Sequence, residues 1–190
     1  MVAYADDSPL LDARARYFAD NGFAPDGGYS DEWVMVKLGP IPVPIPNTEG
    51  RRAAVPCHDL HHVATGFATD LVGEGEIGAW EIASGCTQVR AALVLNLLVM
   101  WPVLFLAPGR LFHAFVWGRH TRNLYDTPVD ARLLEQTVGA LRARLGLDAP
   151  HPEATSADKR AFAAWLAAVV APQLAIAALL LGLPAWLLLA

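Results

Sequence analysis

Cysteine is scarce in this chain: Cys57 and Cys86 are the two thiols in 190 residues. They are too few for a disulfide framework and form no CxxC pair, usage that fits a reducing compartment. The stretch from Met1 to Asp7 is acidic and lacks a basic region followed by an apolar run, so neither a signal peptide nor a transit peptide is expected. An excess of basic charge is missing too. Residues 1–90 hold 6 Lys/Arg against 13 Asp/Glu. That acidic front argues against nucleic acid as a partner. Residues 91–160 reverse the balance, with 8 basic against 6 acidic, and residues 161–190 carry no charge at all. A basic stretch between two apolar ones points toward anionic lipid headgroups. No internal repeat is present. The length suits one domain with an added membrane segment, and a domain of that size buries a real core.

What is present is mostly helical signal. Ser8 and Pro9 open a helix over 9–21, with Ser8 as cap, Pro9 at the first helical position and Gly22 beyond the end. Residues 33–38 and 41–46 fit a small hairpin. Proline recurs at every second position from 40 to 46, which confines that stretch to extended chain or an edge strand. Asn47 or Thr48 caps a helix that Pro56 is expected to interrupt, followed by helices over 57–72 and 74–84. Helices over 110–124 and from Thr127-Pro128 to Gly146 follow from apolar spacing. Thr155 and Asp158 resemble a capping box that starts the final helix. The expected fold is all-α: a single helical domain with a short N-terminal hairpin segment and hydrophobic membrane-associated helices. Residues 1–160 are expected to form one helical metal-binding domain, which includes the apolar stretch 91–108, and 161–190 a C-terminal hydrophobic membrane segment.

Two apolar runs decide the membrane reading. Residues 91–108 hold no charge but contain Asn96 and Pro102, and the stretch is marginal for a span, which needs about 20 apolar residues. A span there would put the metal motif and the basic segment on opposite sides of the bilayer, against the rule that basic segments stay cytoplasmic. A re-entrant or in-plane dip, broken at Pro102, keeps both on the cytoplasmic face. Residues 161–190 are long enough for a tail anchor, though Pro172, Gly182 and Pro184 interrupt them. Packing as core helices is the competing reading for either run.

The chemistry lies in Cys57-His58-Asp59-Leu60-His61-His62. Positions i and i+4 share a helix face, so His58 and His62 can hold one metal, as the histidines of HExxH do. Asp59 lies 100° round the helix and can bind if the helix end loosens, or can orient a ligand. Glu74, twelve residues after His62, can arrive on the same helix or the next. His61 sits three after His58, so spacing alone leaves either histidine as the partner. Two imidazoles and two carboxylates suit Zn²⁺, Fe²⁺ or Mn²⁺. Asp70, Glu76 and Glu81 read as solvated carboxylates, and His113, His120 and His151 as structural.

The string His58-Asp59-x-x-His62, eleven residues, then Glu74, with the text around residues 56–85, resembles the coenzyme Q biosynthesis protein four (Coq-four) family. The likeness is weaker over 9–26 and fades beyond 90. It implies an all-α fold and a divalent metal on His58, Asp59, His62 and Glu74. It implies a polyprenylated hydroxybenzoate-type ring as substrate, with oxidative decarboxylation at ring carbon one. Peripheral attachment to membrane lipids, a homodimer and contact with other quinone-biosynthesis proteins also follow from it. The sequence departs from that pattern in its length, its Pro-rich run and its more hydrophobic tail, which suggest a divergent branch. Trp80, Trp101 and Phe67 are candidate apolar walls of the groove, with core packing as the alternative for each. A non-catalytic prenyl-lipid scaffold is the second functional reading. A zinc hydrolase of the HExxH kind, with Asp59 in the general-base position and Glu76 or Glu81 as third ligand, is a third.

Overall fold

The computed structural model describes residues 4–38 and 41–189, with side chains at all of these except 36–38, 41, 177 and 179–189. It divides into two compact units, Met1–Glu153 and Ala154–Ala190.

The first unit begins with α1 (Leu10–Asn21). Gly22 closes it in the left-handed conformation, with φ of 68°, as the Gly22 signal predicts. The helix start differs from expectation: no side chain caps it, and Pro9 stands just outside. Here the backbone is tied into tertiary pairing instead. Leu10 donates to the Gln136 carbonyl, and Val138 donates to that of Ser8. Strands β1 (Trp33–Leu38) and β2 (Ile41–Pro46) form an antiparallel hairpin, with Trp33 opposite Pro46 and Leu38 opposite Ile41. Alternate residues of a strand aim their amides to the same side. Pro42, Pro44 and Pro46 therefore put every missing donor on the free edge.

Helix α2 (Glu49–Thr65) is capped by Thr48, whose hydroxyl accepts from the Arg51 amide. It runs unbroken through Pro56, contrary to the expected interruption. Proline frees the carbonyl four residues earlier. That carbonyl belongs to Arg52, an exposed position where water can serve it. The same holds at Pro102, inside α4 (Arg90–Leu106), where the freed carbonyl is that of exposed Leu98. The expected break at Pro102 is absent, and the chain turns instead at Ala107, before α5 (Pro108–Arg119). Between α2 and α4 lie α3 (Leu71–Ser84), capped by Asp70, and a short 3-10 turn at Cys86–Gln88. Helices α6 (Ala131–Leu134) and α7 (Val138–Leu145) replace the single helix expected after Thr127, because Thr137 starts a new cap by accepting from the Ala140 amide.

Helix α3 is the hub. Ile77, Ala79, Trp80 and Ile82 are buried between α4 and α5. The helices approach closely because glycine sits at the crossings. A Cβ at Gly118 would lie 2.4 Å from the Trp80 carbonyl oxygen, and one at Gly75 would lie 2.6 Å from the Val103 side chain. Helix α4 is therefore a core helix on one face, where Ala92, Asn96, Met100 and Val103 are buried. Its other face leaves Val94, Leu98, Phe105 and Leu106 exposed. From α7, Arg142 reaches back across the unit. Its guanidinium donates to the carbonyls of Ala64 and Val63 at the end of α2, and to that of Tyr4.

The second unit is α8 (Ser156–Leu189). Its start is the predicted capping box: the Thr155 amide donates to Asp158 Oδ2 at 2.8 Å, and the Asp158 amide to Thr155 Oγ1 at 3.2 Å. Among the described residues, no helix is long and apolar enough to cross a membrane. The far end of the expected 161–190 segment lies outside the described side chains.

Candidate metal centre

His58 and His62 stand one turn apart on α2, and Glu74 faces them from the first turn of α3. The Gly66 cap and the short loop after it fold α3 back so that a residue twelve positions away arrives at hydrogen-bonding range. The two Nε2 atoms are 3.2 Å apart. Glu74 straddles them, with Oε2 3.4 Å from His58 Nε2 and Oε1 3.4 Å from His62 Nε2. For metal–ligand bonds of about 2.05 Å at a tetrahedral angle, ligand atoms sit about 3.3 Å apart. The observed spacing matches that figure.

The tautomers sharpen this point. His62 Nδ1 lies 3.0 Å from the Phe67 carbonyl, which can only accept, so Nδ1 carries the proton. His58 Nδ1 lies 2.9 Å from Glu81 Oε1, again an acceptor. Both Nε2 atoms of the neutral rings therefore present lone pairs to each other and to a carboxylate. Three acceptors cannot converge without a cation between them, either a proton on one Nε2 or a metal ion. The electrostatics agree. Burial works against a charged His58, yet Glu81 and Glu74 hold its pKa well above 6.5. Burial would likewise raise Glu74, but His62 and His58 bring its carboxyl down to about 2. His58, His62 and Glu74 are thus a group that could hold a metal ion. Two histidines and one carboxylate are the donor set of catalytic zinc sites and of non-haem iron sites with open positions. The Glu74 side chain is 32% exposed and that of His58 22%, so one side of the centre is reachable from solvent.

Asp59 is placed otherwise. It is buried, and Oδ2 accepts a 2.6 Å hydrogen bond from the Tyr29 hydroxyl. It lies outside the group of three whose ligand atoms converge. Burial raises its pKa against the pull of His58. The loop carrying Tyr29 is held by Asn47, whose amide donates to the carbonyls of Gly28, Tyr29 and Asp31. Tyr17 of α1 stacks on His62, with ring centroids 5.6 Å apart.

The ambiguity between His61 and His62 is resolved by hydrogen bonding. His61 is fully buried; Nδ1 lies 2.7 Å from Glu81 Oε1, and Nε2 accepts from the Leu124 amide at 2.9 Å. Both nitrogens are engaged, which leaves none for a metal. Burial lowers the pKa of this ring against the opposing pull of Glu81. The thiols are equally unsuited, since burial pushes Cys57 and Cys86 up to about 12.

Glu81 is the residue that sequence reading misjudged as a solvated carboxylate. It is fully buried, accepting from His58 and His61 at Oε1 and from Asn96 and Tyr125 at Oε2. A signal for it exists: it lies seven residues after Glu74, two turns on, among Ile77, Ala79, Trp80 and Ile82. A carboxylate that is fully buried is almost always paired. Glu76, read the same way, is also buried and takes a bidentate ion pair from Arg110, at 2.8 and 2.6 Å. Trp80 is a core residue, donating to Thr121 Oγ1, and Phe67 is buried against Trp117. Asp70 is the cap of α3. His113 stacks on His151 far along the chain from this group.

No family model matches this chain, and neither a curated protein nor a solved structure matches it.

Proposed function

We propose that the chain is a membrane-surface metalloprotein of prenyl-quinone biosynthesis, a divergent relative of the Coq-four family. In this reading it carries out oxidative decarboxylation of a polyprenylated hydroxybenzoate-type ring at the cytoplasmic face. The observation that carries the reading is the convergence of His58 Nε2, His62 Nε2 and the Glu74 carboxylate, three residues of the resembling motif, with one side open. The exposed apolar face of α4, bracketed by Arg90 and Arg110, supports attachment to lipid.

A bound metal would supply a Lewis acid for the ring's carboxylate or phenol oxygen and, if it is iron, redox capacity that zinc lacks. His58, His62 and Glu74 would hold it. Glu81 and the Phe67 carbonyl keep both imidazoles in the Nδ1–H tautomer. In the reaction, the bond from ring carbon one to the carboxylate breaks and carbon dioxide leaves. One oxygen of dioxygen becomes the new hydroxyl, and two electrons from an external reductant, with protons, take the other to water.

A closed site of four protein ligands would favour a scaffold; solvent access to Glu74 and His58 favours the enzyme. The HExxH hydrolase loses support because Asp59, in the general-base position, is engaged by Tyr29. Elemental analysis of the purified protein, with lipid extracted from the same sample, is the test. Iron or manganese at about one per chain, with a prenylated aromatic bound, supports the enzyme. Zinc with bulk phospholipid only favours the scaffold, and no metal at all removes the reading.

A further inference from the structure

We propose that Glu81 is the positioning residue of the metal centre, locking the His58 ring through Nδ1 and tying it to α4 and to the Leu124–Tyr125 segment. This rests on the metal reading above and extends it to a residue outside the motif. Glu81 and Glu74 lie seven residues apart, so they share one face of α3, and that face looks at α2. Glu74 meets the Nε2 side of His58 while Glu81 meets the Nδ1 side. One ring is thus gripped at both nitrogens by one helix.

A carboxylate with no exposed surface is costly, and well-packed apolar residues often replace such a group without loss of stability. Here it is retained with all four of its hydrogen bonds supplied from three other segments. His61 contributes on both sides: its Nδ1–H donates to Glu81, while its Nε2 takes the Leu124 amide. It serves as a buttress that prevents Glu81 from swinging away. Asn96 and Tyr125 fix the second oxygen at 2.7 and 2.8 Å. The consequence is an asymmetric pair of ligands. His58 donates to a carboxylate, which makes its Nε2 the stronger donor to a metal; His62 donates to a neutral carbonyl.

The test is Glu81→Gln in the full chain, titrated with Zn²⁺ against a chromophoric chelator and with Co²⁺ by visible absorption. The amide keeps the shape and removes the charge. The expected result is a Zn²⁺ affinity lower by about 10–100-fold, with shifted Co²⁺ bands and an unchanged far-ultraviolet circular dichroism spectrum. Glu76→Gln removes a carboxylate from the same helix that is paired with Arg110 and lies outside this network, and its affinity should stay near wild type. Wild-type affinity and spectrum in Glu81→Gln overturns the proposal, as does an equal loss in Glu76→Gln, which would mean general loosening. Should Glu81→Gln fail to fold, Glu81→Asp serves, since its carboxylate is drawn back from His58; wild-type affinity there overturns the proposal equally. Failure of the wild-type chain to bind Zn²⁺ or Co²⁺ overturns the metal reading itself, a separate result.

Discussion

If a cation completes the three-acceptor site, adding one must stabilise the fold. The unfolded chain has no preformed site, because the ligands come from two helices joined by a loop. Binding to the native state alone contributes RT ln(1 + [L]/Kd), about 2.7 kcal/mol at a hundred times Kd. For a chain of this size each kcal/mol moves Tm by about 2–4 °C, so the metal should raise it by roughly 5–11 °C. The assay is differential scanning calorimetry on chelator-stripped protein with and without Zn²⁺, Mn²⁺ or Fe²⁺. His58→Ala should lose the shift, since its Nε2 is one of the three converging groups. That residue is part-exposed, which keeps its truncation from opening a deep cavity. His113→Ala, at an exposed position outside the group, should keep the full shift. The shift should shrink on acidification. His58 is held well above its ordinary pKa by Glu81 and Glu74, so a proton competes for the same nitrogen below that pH. A wild-type protein with no metal-dependent shift would refute the reasoning, and so would a full shift in His58→Ala.

His61→Ala should retain one metal per chain but cost about 2–4 kcal/mol in urea denaturation, because the Leu124 amide and Glu81 each lose a buried partner; metal loss equal to that of His58→Ala would make His61 a ligand. Tyr29→Phe should destabilise by about 1.5–3 kcal/mol, the worth of a hydrogen bond to a charged group, without changing metal content. Gly118→Ala should cost about 1–3 kcal/mol or more, since the new methyl meets the Trp80 carbonyl, and an unchanged denaturation midpoint would contradict that contact. Leu98→Glu combined with Phe105→Glu should weaken sedimentation with anionic vesicles, because both side chains lie on the exposed face of α4.

The parts of this site that were legible in the sequence are local ones. The shared face of His58 and His62 is a matter of helical period, and the hairpin follows from where proline can stand. Which of His61 and His62 joins His58 and Glu74 was not legible, because it turns on an amide at Leu124, 63 residues after His61. Glu81 was misread because its partners at 58, 61, 96 and 125 are spread along the chain, and its apolar neighbours hint at burial without naming them. Asp59 fits the motif of the resembling family, yet its carboxylate is turned to Tyr29, a contact across 30 residues with no periodic signature. Pro56 and Pro102 looked like breaks because the lost donor is local, whereas the exposure that makes the loss tolerable belongs to the packed fold. Helices α6 and α7 separate where the chain pairs with residues 8–10, which the apolar spacing of 133–145 gives no hint of.

The reach of Arg142 has a consequence for the order of events during synthesis. The last carbonyls of the helix that carries both histidines are bonded by a guanidinium that leaves the ribosome 80 residues after His62. At roughly 5–20 residues per second, that interval is roughly 4–16 s. During it the nascent chain displays two imidazoles, joined in turn by Glu74 and Glu81, without the clamp that finishes the histidine-bearing helix. A metal ion held by His58, His62 and Glu74 would therefore meet an unfinished helix until Arg142 docks, and stable loading would follow that docking.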